Sequence, residues 1–181
     1  MKIMNVLLSF AALLFAAGCG AQDNPEFNVT IEDTVKELDL NRYLGKWYEI
    51  ARFDHSFERG LVGTTANYSL REDGKIKVLN TGYKDSFEGK FNEAEAKAYI
   101  PDENYPGALK VSFFLFFYSD YWILDLDEDY TFALIGSKKD KYLWILSRTP
   151  EMAPADLDRV LNRASSLGYN TDELIWVEQR D

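Results

Sequence analysis

Between residues 46 and 148 the chain alternates apolar and polar side chains over short stretches and then breaks on turn residues. Period-two alternation puts every second side chain on one face of an extended strand. The pattern predicts strands at 46–54, 62–71, 75–83, 90–100, 108–117, 121–126, 130–137 and 141–148. Asp73-Gly74, Tyr105-Pro106-Gly107, Asp127-Glu128-Asp129 and Lys138-Lys139-Asp140 supply the turn chemistry between them. Short connections of this kind predict an all-β fold of antiparallel hairpins. Eight such strands can close into an up-and-down β-barrel with room for one small ligand.

A helical period appears at both ends of this region. Leu38-Asp39-Leu40-Asn41-Arg42-Tyr43-Leu44 places leucines at helical spacing just before Gly45, which predicts a short turn of helix plugging one end. After Thr149-Pro150 ends the eighth strand, Leu157, Val160, Leu161, Ala164 and Leu167 fall on one stripe, with Asp156 and Asp158 in the first turn and Gly168 beyond. Residues 154–167 are therefore expected to form one C-terminal α-helix on the barrel wall. Ile175-Trp176-Val177 reads as a short final strand beside the first. The run Phe113-Phe114-Leu115-Phe116-Phe117-Tyr118 is apolar on both faces, more than a half-buried strand requires. One face can line the cavity; the other is either ordinary core or an open-end rim that meets a partner, for instance in a homodimer.

Composition narrows the function. The chain has 181 residues, enough for one domain with a sizeable core, and 15% of them are aromatic. Its formal charge is −10, which argues against nucleic acid as a partner and against broad electrostatic attachment to anionic lipid. Cys19 is the only cysteine and His55 the only histidine, so no internal disulfide can form and a metal site of nitrogen and sulfur ligands is not expected. No cofactor is implied.

Lys2 followed by an apolar run from Ile3 to Phe15 reads as an export signal too short to span a membrane. Ala16-Ala17-Gly18-Cys19 resembles a bacterial lipobox, in which the cysteine is acylated and becomes the new N-terminus, although Ala16 stands where leucine is commoner. The alternative is an ordinary secretory signal with Cys19 incidental. The chain divides into a lipoprotein signal peptide (1–18), an acylated Cys19 with a polar, flexible tether (19–37), and the barrel with its helix and last strand (38–181). Two or more acyl chains would hold the protein stably at a membrane.

Three motifs stand in order: Gly45-Lys46-Trp47 opening the first strand, Asp129-Tyr130 opening a late one, and a last strand ending in Arg148. Together they resemble the lipocalin signature. The stretches Trp47 to His55, Leu109 to Phe114 and Tyr142 to Pro150 are most similar to the bacterial outer-membrane lipoprotein lipocalins, over roughly residues 38 to 179. The resemblance implies an eight-stranded barrel and, in the structural motif of Gly45, Trp47 and Arg148, an arginine lying over the tryptophan ring at the closed end. It also implies a cavity for fatty acyl chains, with Tyr118 and Trp144 at its aromatic lining positions, and a location at the outer membrane of the bacterial envelope.

Strand phase extends these expectations. If Trp47 faces inward, so do Glu49, Ala51 and Phe53; if Arg148 does, so do Leu146, Trp144 and Tyr142. Phase marks Phe53, Tyr142 and Trp144 as candidate ligand-binding residues, and the apolar run together with the resemblance adds Phe114, Phe116 and Tyr118. An inward Glu49 must be hydrogen-bonded, either to the plug or to ligand. Arg59, Lys138, Lys139 and Lys141 are loop cations that could hold a head group or simply be solvated. The expected ligand is a fatty acid or lysophospholipid, bound for transport or storage in envelope maintenance. The rival is a lipid-acting hydrolase or isomerase using His55, Ser56 and Glu58, but neighbours in one loop rarely give the geometry of nucleophile, base and orienter. No catalytic residue is assigned.

Overall fold

The computed structural model describes residues 26–114 and 117–180. Eight antiparallel strands, β1 (Gly45–Arg52), β2 (Leu61–Leu70), β3 (Ile76–Lys84), β4 (Phe91–Tyr99), β5 (Ala108–Phe114), β6 (Phe117–Leu126), β7 (Phe132–Gly136) and β8 (Leu143–Ser147), pair in chain order. Pairing of β1 with both β8 and β2 closes the barrel. A plug helix, α1 (Leu40–Tyr43), precedes β1, and α2 (Pro154–Ser166) follows β8 on the wall. Asp39 caps α1 by accepting hydrogen bonds from the Asn41 and Arg42 amides. Gly168, at φ +85°, lets the chain leave α2.

β1 and β2 pair only in the plugged half, from Gly45 opposite Tyr68 to Tyr48 opposite Thr65. Toward the open end they part, and the C-terminal segment fills the gap. β9 (Ile175–Trp176) pairs with Ala51 and Arg52, the Val177 amide donates to the Ile50 carbonyl, and the Gly63 amide donates to that of Glu178. The Gln179 side-chain amide bridges the carbonyls of Glu49 and Thr64. In this way the backbone groups freed by the splayed strands are satisfied.

Two cores result. Inside the plugged half, Trp47, Tyr43, Leu109, Ile123 and Ile135 pack together. Outside, Leu134, Leu143 and Ile145 meet Val160, Ala164 and Tyr169 of the helical layer. β7 lies between the two and is buried on both faces, as its sequence Phe-Ala-Leu-Ile-Gly requires.

Three expectations are corrected. The fifth strand ends at Phe114, not at 117, and the sixth begins at Phe117, not at 121, with Phe114 opposite Phe117. The apolar run from Phe113 to Tyr118 contains no glycine or proline, so composition carried no signal for these strand ends. β1 contains a bulge, since Glu49 faces Leu146 while Ala51 faces Ile145. The extra residue reverses the strand's phase, turning Arg52 inward and Ala51 and Phe53 outward. Finally, residues 26–37 are packed on the barrel, with Val29 and Thr34 buried and the Val35 amide bonded to the Ile123 carbonyl. Their polar composition hid three anchoring apolar residues, Phe27, Val29 and Ile31. Residues 1–18, Cys19 and Phe116 lie outside the described residues.

Candidate functional site

The closed end is built first. The Arg148 guanidinium lies 3.8 Å from the centre of the Trp47 ring and donates hydrogen bonds to the carbonyls of Arg42, Tyr43, Lys46 and Tyr130. Trp47 Nε1 donates to the Tyr43 carbonyl at 2.8 Å. Tyr130, at φ +60°, contributes its carbonyl to Arg148, its hydroxyl to the Asp39 amide and its ring to Arg42. One arginine thus ties α1, β1 and the β6–β7 turn together. Above it, the hydroxyls of Tyr43 and Tyr68 both bond that of Tyr121, at 2.6 and 2.7 Å. Burial raises the pKa of all three phenols, so they stay neutral and form a hydrogen-bonded floor.

From that floor a cavity of about 680 Å³ opens toward the other end. Ala66, Val78, Val111, Ile135 and Leu146 form apolar wall, and Trp144 and Tyr142, stacked at 5.9 Å with rings nearly parallel, form one side. The side-chain oxygens of Thr64 and Asn80 are buried against this space and have no hydrogen-bond partner among the described residues. Four phenylalanines, Phe57, Phe113, Phe114 and Phe117, stand at the mouth and are largely exposed.

A charged cluster sits in the upper wall. The inward Arg52 pairs with Glu49 at 2.5 Å and donates to the carbonyls of Glu58 and Leu61. Glu58 accepts a hydrogen bond from Trp144 Nε1 at 3.0 Å. Only Glu49 pairs with the guanidinium, while the Glu58 carboxylate feels its charge without direct contact. Burial, reinforced by the charge of Glu58, pushes Glu49 up to about 8, and burial raises Glu58 as well. His55 stacks on Phe57 at 4.1 Å and stands 3.2 Å from Glu58, without the alignment of a hydrogen bond. Burial and the nearby Arg52 charge push it down to about 4, so the imidazole is neutral at neutral pH.

The structure brings Trp144, Tyr142 and Phe114 of the candidate residues to the cavity. Phe53 lies on the outer face, 5.9 Å from Tyr169, because of the β1 bulge. Tyr118 also points outward, packing on Tyr99 at 5.3 Å with Lys97 near its ring. The early stop of β5 moved it from the end of one strand to the start of the next. Glu49 is tied to Arg52 rather than to the plug. Arg59 lines the mouth but is engaged by Asp54, and Lys138 approaches Asp120 at 3.7 Å. Arg52, Tyr68 and Tyr121 were missed. Alternation alone marks Tyr68 and Tyr121 as facing Ala66 and Ile123, so they could have been found; Arg52 could not, because nothing in the sequence announces the bulge.

The profile of the lipocalin-like domain family matches residues 38–179. The chain belongs to the lipocalin family. It is 48% identical over 147 residues to the outer membrane lipoprotein Blc of Vibrio cholerae, covering 81% of this chain and 85% of that protein. It is 41% identical to the Blc of Escherichia coli, covering 99% and 98%. This lipocalin shares their location at the bacterial outer membrane. Among solved structures it resembles insecticyanin of the tobacco hornworm, with a TM-score of 0.67 and 22% identity over 87% of this chain and 88% of that one, a likeness of fold. Lipocalins are typically binding proteins. Ser56 is exposed and His55 buried, and neither ring nitrogen of His55 has a hydrogen-bond partner among the described residues.

Proposed function

We propose that this lipocalin binds a single-chain lipid, a fatty acid or lysophospholipid, and carries or stores it at the outer membrane, to which acylated Cys19 attaches it. The observation that supports this most is the cavity itself. Its volume of about 680 Å³ suits one small amphiphile, and its deep wall is apolar. Each methylene buried there contributes about 0.8 kcal/mol. Polar groups lie higher: Glu49 and Glu58 within the upper wall, Arg59 and Lys84 at the mouth. The acyl chain enters first, toward the Tyr68 and Tyr121 floor, and the head group stays near the mouth.

Trp144 reports occupancy because its ring faces the cavity and its indole is fixed by Glu58. Adding a long-chain fatty acid or lysophospholipid is expected to change tryptophan emission. Trp144→Ala removes most of that change, and Trp176→Phe, on the outer β9, leaves it intact. A change that survives loss of Trp144 places the ligand elsewhere.

A further inference from the structure

The path of residues 26–38 decides which end of the barrel faces the membrane. Phe27 packs on Tyr169 at 5.0 Å, and the Tyr169 hydroxyl donates to the carbonyl of Ser137, in the β7–β8 loop at the open end. The chain then runs down the outer wall. Val29 is buried beside α2, the Asp33 carbonyl accepts from Arg163, the Val35 amide bonds Ile123, and the Asp39 amide reaches Tyr130 at the plugged end. Only seven steps separate Cys19 from Glu26, a span of at most about 25 Å when fully extended. The described chain thus starts on the open-end side, and an anchor at Cys19 lies within that reach of it.

The same end carries the exposed apolar surface. Phe57, Phe113, Phe114 and Phe117 are 59%, 45%, 66% and 76% exposed around the mouth. Exposed Trp176 and Ile175 of β9 lie beside the open-end half of β1. Among the described residues β4 and β5 pair only from Lys97 to Tyr99 with Lys110 to Ser112, so their open-end halves part on the side where Phe113 and Phe114 stand. Arg59, Lys84, Lys90, Lys138, Lys139 and Lys141 stand in or beside the loops of this end among Asp54, Glu58, Asp85, Glu88 and Asp140, with Arg59, Lys84 and Lys138 met by Asp54, Asp85 and Asp120. Aromatic side chains with nearby cations suit the boundary between acyl chains and phosphate head groups.

We infer that the mouth of the barrel rests on the bilayer that holds the anchor, with the phenylalanine rim inserted among the lipid tails, so that a ligand passes between membrane and cavity without crossing water. The inference depends on acylation of Cys19, as proposed above. It commits to a lipid surface as the occupant, not a second protein.

Acylation consumes the native cysteine, so a single introduced one can be labelled. Full-length, acylated protein carrying Phe57→Cys, Phe117→Cys or Glu72→Cys would each receive an environment-sensitive fluorophore and be reconstituted in phosphatidylethanolamine and phosphatidylglycerol vesicles. Labels at 57 and 117 are expected to shift to the blue and to be quenched by phospholipids brominated on their tails. The label at 72, in the β2–β3 turn of the plugged end, stays in water. Tail quenching at 72 but not at the mouth overturns the inference. So does a mouth label shielded from an aqueous quencher yet untouched by the brominated lipid, since another polypeptide then covers it. Sedimentation of each variant with the vesicles separates the two readings: bound protein with an unquenched mouth defeats only the docking, whereas unlabelled wild type that fails to sediment defeats the anchor and the docking with it.

Discussion

Arg148 and Glu49 show two opposite ways of placing a charge in a barrel. Arg148 is surrounded by backbone carbonyls and one tryptophan face, so its charge is met by dipoles. Arg148→Ala is expected to lower stability by about 1–3 kcal/mol through the lost stacking and the unmet carbonyls, read as an earlier urea midpoint. Glu49 instead pairs directly with Arg52, with the charge of Glu58 close by. Its folded pKa is raised, so its stabilising contribution is complete below about 4.3, the unfolded value, and is lost as pH rises through about 8. His55 acts with the other sign. Its pKa is depressed, so its contribution is present above about 6.5 and is lost as pH falls through about 4. The two oppose each other between about 4 and 6.5, and above 6.5 the raised carboxylates, Glu49 with Glu58, act without the imidazole. Stability should therefore fall across that upper window, and Glu49→Gln should flatten the fall in a series of urea midpoints against pH. Parallel profiles for parent and variant would show that the carboxylate titrates lower.

At the scale of elements, the helix α2 and the N-terminal segment form one layer over β6 to β8. Gly168 is the joint between them. It adopts a left-handed conformation, and a Cβ there would meet the Phe27 Cα at 2.5 Å. Gly168→Ala should cost about 1–2 kcal/mol from the backbone alone. It should also lift residues 26 to 29, so that their amides exchange with solvent faster while those of the barrel floor are unchanged. Equal protection in parent and variant would mean that the segment is held without this joint. The helix stripe and the final strand were legible in the sequence because each repeats a simple period or follows a clear stop. The N-terminal segment was not, since three apolar residues spaced along a polar stretch match neither period.

For the whole molecule, attachment and binding occupy separate parts of the chain. The folded barrel is acidic, and among the described residues no helix is long and apolar enough to cross a membrane. With attachment through Cys19, as proposed, Cys19→Ser is expected to move the protein from the membrane fraction to the soluble one after a high-salt wash. The cavity should be unaffected, so the released protein retains the Trp144 response to lysophospholipid. A variant that still sediments with envelope would require a different anchor.

The sequence by itself determined the number and order of strands, the plug and the wall helix, because alternation, turn residues and helical spacing are local properties, while the meeting of Trp47 with Arg148 was legible through the resemblance to lipocalins. It also determined the inward face of β8, where period two runs unbroken from Tyr142 to Arg148. Only the tertiary structure decided the lining of the cavity. One bulge in β1 exchanged Phe53 for Arg52, and one strand ending early sent Tyr118 to the outer wall. A bulge or a displaced turn is selected by pairing with a neighbouring strand and by what must be covered there, and a single extra residue reverses every side chain beyond it.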